Sequence, residues 1–176
     1  MKNIKKTIAI IYTISLFSII SSTCFAAVDQ FLKIDGVEGE TQDEAHKGSI
    51  DVLSWSWGSS SSTVGKKTSC NIQDISIVKY VDSSSPDLLV GQLDGTTYSS
   101  ARLVVRKAGG HLDYLEYIVI ELNNVSVTSF STGGSGGEDR LTESMTLNFT
   151  NATYTYTPQK KDGSAGVPIV RLIGGC

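Results

Sequence analysis

Alternation constrains this chain more than any other feature. Short runs in which apolar residues recur at every second position are spread along it from residue 31 to residue 157: FLKID (31–35), IDVLSWSWG (50–58), IQDISIVKYV (72–81), YSSARLVVRK (98–107), YLEYIVIEL (114–122), VSVTSF (125–130) and MTLNFTNATYTYT (145–157). A period of two places successive side chains on opposite faces of a strand. The runs are rich in β-branched and aromatic residues, and clusters of Gly, Asn, Asp and Ser separate them, as strands and turns require. The expected class is therefore mainly β, with a closed or partly open barrel or a sandwich as the natural outcome. In IDVLSWSWG the alternation puts Leu53, Trp55 and Trp57 on a core face, and Val52, Ser54 and Ser56 on the other. In MTLNFTNATYTYT the apolar parity changes between Phe149 and Tyr154. That change predicts a bulge or bend near Asn151 and Ala152, of the kind that lets a sheet close.

One helix interrupts the strands. Ser85 is suited to its cap, Pro86 to its first position, Asp87 to its positive end and Gly95 to its stop. Leu88, Leu89 and Leu93 would form an apolar stripe with which a short helix plugs a barrel end. The segment GSSSSTVGKKTS (58–69) reads as a polar, flexible connection, longer than a tight hairpin needs.

The first 26 residues read as an export signal: Lys2, Lys5 and Lys6, an apolar run, and small residues up to a cleavage point after Ala26. A lipid anchor at Cys24 and a retained membrane anchor are lesser alternatives. The domain would then be 27–176, or 176 − 26 = 150 residues, enough for a single core. Removing three lysines leaves 12 basic against 18 acidic residues, a charge of −6, which disfavours nucleic acid as a partner. Cys70 and Cys176 remain, and outside the cytoplasm they could pair within the chain, pair between chains or stay as thiols.

The residues offer little for catalysis. FSTGGSGGEDRLTES (130–144) has the glycines of a phosphate cradle, but Glu138 and Asp139 follow them where a lysine and a hydroxyl would be needed. His46 and His111 lie in turn-like surroundings and read as solvated loop residues. The acidic residues Asp35, Glu38, Glu40, Asp43 and Glu44 lack the spacing of a calcium loop and read as a solvated segment. No Cys/His cluster is present. No cofactor, metal or catalytic residue is expected.

AVDQFLKIDGVEGE, IDVLSWSWG, RKAGG and STGGSGGEDRLTESMTLNF together resemble the Hcp family, the tube proteins of bacterial type VI secretion, over roughly residues 27–160. The resemblance implies a β-barrel with one flanking helix, assembled as a hexameric ring. The rings stack into a tube, propelled by a contractile sheath, whose lumen carries small effectors. It implies no catalysis. Ser54 and Ser56 then look like lumen-facing positions. Lys66 and Lys67 in the 58–69 connection, and Gly133, Gly134, Gly136, Gly137, Glu138, Asp139 and Arg140, look like ring or stacking contacts. Two features depart from the family: the export signal, implying a periplasmic or extracellular product, and the tail VPIVRLIGGC in place of a strand with a Gly-Trp pair. A last strand from Ile169 to Ile173 is still expected. The alternative function is an exported binding or host-interaction protein that keeps the fold without the secretion apparatus.

Overall fold

A computed structural model of the chain describes residues 28–108, 114–137 and 139–174. The strands are β1 (Asp29–Ile34), β2 (Ile50–Ser56), β3 (Ser59–Val64), β4 (Lys67–Ile72), β5 (Ile75–Tyr80), β6 (Thr97–Ala108), β7 (Tyr114–Thr132), β8 (Thr142–Asn148), β9 (Asn151–Tyr156) and β10 (Ile169–Ile173). A single-turn 3-10 helix, Glu44–His46, precedes β2, and helix α1 (Ser85–Asp94) lies between β5 and β6. The main sheet runs β10-β9-β7-β6-β1-β2-β5-β8, and β8 also pairs with β7, so the six strands from β7 to β8 close into a barrel. Every pairing is antiparallel.

Strand β7 makes this closure possible. The runs 114–122 and 125–130 are one 19-residue strand, because Asn124 adopts a φ of 51°, a left-handed conformation that Asn tolerates, and the ladder continues past it. The first half of β7 pairs with β9 (Ile118↔Tyr156 to Asn123↔Asn151), and the second half with β8 (Ser126↔Asn148 to Thr132↔Glu143). The parity change after Phe149 is thus a break between two strands, where a bulge or bend was expected near Asn151. On one side β8 joins β5 and closes the barrel; on the other β9 flares out to carry β10. Strand β10 spans Ile169–Ile173, the limits expected for the last strand.

The core fills from the inward parity of these strands. Leu32, Ile34, Ile50, Ile77, Leu103, Ile120, Leu122 and Leu147 are all at most 1% exposed, and burying each such side chain contributes about 1.5–3 kcal/mol. In β2 the expected faces hold only after a register shift between Val52 and Ser54. Trp55 and Trp57 pack on the core, but Val52 is buried and Leu53 is exposed, because the extra residue reverses the parity before it.

Helix α1 starts one residue earlier than its cap signal suggests. Ser84 is the N-cap, without a side-chain cap bond, and Ser85 turns its hydroxyl into the barrel; Gly95 closes the helix at φ 73°. The leucine stripe is narrower than expected: Leu88 is fully buried, whereas Leu89 and Leu93 are exposed. Gly91, also buried, lies against the Tyr98 ring where a larger residue would not fit.

Residues 35–49 pack against the barrel through Val37, Thr41, His46 and Ser49, which corrects the reading of a solvated His46, while Asp35, Glu38, Glu40 and Glu44 are exposed as expected. Glu40 accepts from the Ser83 amide (3.0 Å), and Asp43 pairs with Arg106 at 2.7 Å. His46 is buried, stacked on the Phe31 ring at 4.2 Å between centroids, and its Nε2 lies 3.4 Å from Glu116. His111 lies outside the described residues.

Candidate functional site

Strand β5 orients the exposed segments that the sequence singles out. Its start pairs with the end of β2 (Ser56↔Ser76), and its end pairs with the start of β8 (Tyr80↔Thr142). The segment 59–72 is rooted at the first end and the glycine-rich loop 133–141 at the second, roughly 13 Å apart along the strand. Lys66 and Lys67 therefore belong to one rim of the barrel, and Gly133, Gly134, Gly136, Gly137, Asp139 and Arg140 to the other. Glu138 lies outside the described residues.

The 58–69 connection is ordered, contrary to the flexible linker expected. It is a hairpin arm, β3 against β4 in register from Ser59↔Ile72 to Val64↔Lys67, turning at Gly65 with φ 63°. Glycine at the first turn position supplies the type II′ geometry that matches strand twist. The Gln73 amide donates to the Gly58 carbonyl at 3.0 Å, and the Trp57 indole donates to the Gln73 carbonyl at 2.9 Å, so the base is clamped. Beyond Gly58 the arm contributes nothing to the core cluster. A cavity of about 530 Å³ separates it from the end of β10; Trp57, Cys70, Ile72, Leu172 and Gly174 are among its walls.

At the opposite rim the exposed Arg140 guanidinium lies 3.8 Å from the centroid of the Tyr80 ring. Gly134 lies against Leu141, where a Cβ would come within 2.5 Å of Cδ2. Gly137 has φ 102°, a conformation that side-chain-bearing residues avoid.

Between the rims, the outer surface of β2, β5, β8 and β7 is made of small residues in cross-strand rows. One row is Ser54–Val78–Ser144–Ser131, the next Ser56–Ser76–Thr146–Ser129. Ser54 and Ser56 are exposed and turned away from the tryptophans, as their parity requires. Neither row carries a charge. A shallow hollow of about 380 Å³ lies over Val78, Ser131 and Ser144, beside the start of the glycine loop.

Behind this wall lies a group that sequence reasoning missed. Lys79 is fully buried and donates to Glu143 Oε1 (2.6 Å), Asp82 Oδ1 (2.7 Å), the Tyr80 carbonyl (2.8 Å) and Ser85 Oγ (3.1 Å). Ser85 also donates to Glu143 Oε1 at 2.5 Å. This ties the start of α1 to β5 and β8 beneath the glycine-loop rim. The signal was present: Ile75, Ile77 and Lys79 share a parity, as do Glu143, Met145 and Leu147.

Cys70, exposed on β4, is disulfide-bonded. The other two cysteines, Cys24 and Cys176, lie outside the described residues, as does the expected signal segment.

Residues 31–156 match the family described as "Type VI secretion system effector, Hcp". The chain is 49% identical over 144 residues to Protein hcp1 of Pseudomonas aeruginosa, covering 78% of this chain and 88% of that protein. A type VI secretion system effector from Yersinia pestis superposes with a TM-score of 0.68 at 33% identity, covering 84% of this chain and 100% of that one. Hcp1 from Salmonella typhimurium superposes with a TM-score of 0.67 at 32% identity, covering 83% and 92%. With residues 31–156 matching the family and 49% identity to a relative over 88% of that protein, the chain belongs to the Hcp family of type VI secretion proteins.

Proposed function

We propose that this chain is a structural subunit that closes into a hexameric ring, that rings stack into a tube, and that the lumen holds small protein effectors. The observation that carries this reading is the placement of two dissimilar exposed segments, the arm and the glycine loop, at opposite ends of β5. Head-to-tail association needs two different complementary patches on each copy, and an isologous dimer would not. The uncharged rows through Ser54 and Ser56 are suited to a lumen wall: small hydroxyl groups stay hydrated and hold unrelated cargo only weakly. Glycine conformations in the 133–137 stretch allow a neighbour's backbone to approach closely, with Glu138, Asp139 and Arg140 supplying directional pairing. The subunit acts by assembly, without catalysis or cofactor, and its partners beyond copies of itself are lumen effectors and secretion-apparatus components.

The lysine-flanked apolar segment at residues 2–26 supports a second reading, export to the periplasm or beyond as a free-standing binding protein. Intact mass of the recovered protein reports whether Ala27 is its first residue. Replacing Glu138 and Arg140 together by alanine should lower the fraction of rings in sedimentation velocity while circular dichroism stays unchanged. Unaltered assembly would remove these side chains from the interface.

A further inference from the structure

We infer that Cys70 is joined to Cys176 of the same chain, and that this bond latches the arm onto the C-terminal strand. Three observations converge. Cys70 is in a disulfide, and the chain offers only Cys24 and Cys176 as partners within itself. Cys70 lines the cavity under the arm together with Leu172, Ile173 and Gly174, whereas no residue of β1, which follows Cys24, lines it. Gly174 is two residues from Cys176, and two residues span at most about 7 Å, so the chain end beside Cys70 is within reach of it.

Apart from its base at Trp57, Gly58 and Gln73, the arm is solvent-exposed along β3 and nearly all of β4. The end of β10 is the barrel-borne segment that faces it across the cavity. A covalent tie there fixes the angle at which Lys66 and Lys67 project from the rim. On the reading that the arm makes the stacking contact, the latch makes stacking redox-dependent. The reducing cytoplasm opposes the bond, and outside it the bond forms. Closure removes two protons and two electrons from the two thiols; a small-molecule or protein disulfide accepts them and leaves as two thiols.

The test is trypsin digestion of the full chain, as recovered from an oxidising compartment, under non-reducing conditions. Cleavage after Lys67, Lys79 and Arg171 should yield peptide 68–79 linked to peptide 172–176, from protein that migrates as a single chain on a non-reducing gel. Reduction should separate the two peptides. Peptide 68–79 linked to a Cys24 peptide, to itself or to another chain overturns the assignment, as do two free thiols. The latch is read separately, by brief trypsin treatment of the folded protein. Cleavage at Lys66 and Lys67 should rise by about tenfold on reduction or in Cys176→Ser, as a tied segment loses protection when it can open locally. Equal cleavage rates would overturn it. Oligomeric mass measured on the same samples separates the two claims. A cross-linked monomer sinks the ring and keeps the bond, and a ring without the linked peptide does the reverse.

Discussion

Lys79 shows how a residue at odds with its surroundings can still be held by them. Its ammonium pairs with Glu143 and Asp82, so deleting it would leave two buried carboxylates with serine hydrogen bonds but no counter-charge. Lys79→Met should cost about 3–5 kcal/mol in urea unfolding, and Lys79→Met with Glu143→Leu should recover at least half of that, since an apolar replacement of a buried pair is often near neutral. A single variant within about 1 kcal/mol of the parent would contradict this account. Asp43 makes a different prediction. The hydrogen bond from Arg106 holds its carboxyl below the usual aspartate value, opposed by burial and assisted by the Ala45 amide. A depressed folded value means stability that is present above the unfolded value, near pH 4, and lost as pH falls through the folded one. Asp43→Asn keeps the capping geometry, so its deficit against the parent should be full at about pH 6 and shrink below about pH 4, as thermal melts across pH can show. These two residues were not equally legible. Lys79 shares the alternating face of Ile75 and Ile77 and could have been placed inward from the sequence. His46 could not, because its burial depends on Phe31, Arg106 and Glu116 arriving from strands distant in sequence.

At the scale of elements, alternation identified the strands of the barrel, but not where one strand changes partner. Nothing local tells that β7 continues through Asn123 and Asn124, or that Phe149 and Thr150 separate a barrel strand from an outlying one. Both depend on which neighbour supplies the hydrogen bonds. The leucines of α1 were misjudged for the same reason, since a helix seated at a barrel rim has room to bury Leu88 and leaves Leu93 in solvent. The arm gives the clearest prediction at this scale. Because Gly58 and Gln73 are already hydrogen-bonded to each other, a two-residue turn can replace residues 59–72 without disturbing the barrel. Under reducing conditions, where no Cys70 bond is lost with the arm, the melting temperature should shift by less than about 4 °C, equivalent to under 1 kcal/mol, and rings should persist while stacks disappear in electron micrographs. Collapse of the fold would show that the arm supports the core; undiminished stacks would remove it from the stacking contact.

For the whole molecule, the recognisable runs around IDVLSWSWG and GGSGGEDRLTE pointed to the family, and the matching family spans 31–156. In the fold, the first run bulges within β2 and packs Trp55 and Trp57 on the core, and the second turns a rim. Assembly was not written in alternation at all, because period-two patterns describe what each strand buries and not what its outer face meets. The account depends on copies of this chain meeting through unlike surfaces around a central opening. Sedimentation velocity of the recovered protein over a hundredfold range of concentration tests it most directly. A dominant species with six times the mass of the chain, giving way to multiples of six at the highest concentrations, is the result expected. A species of one chain's mass throughout that range would contradict it.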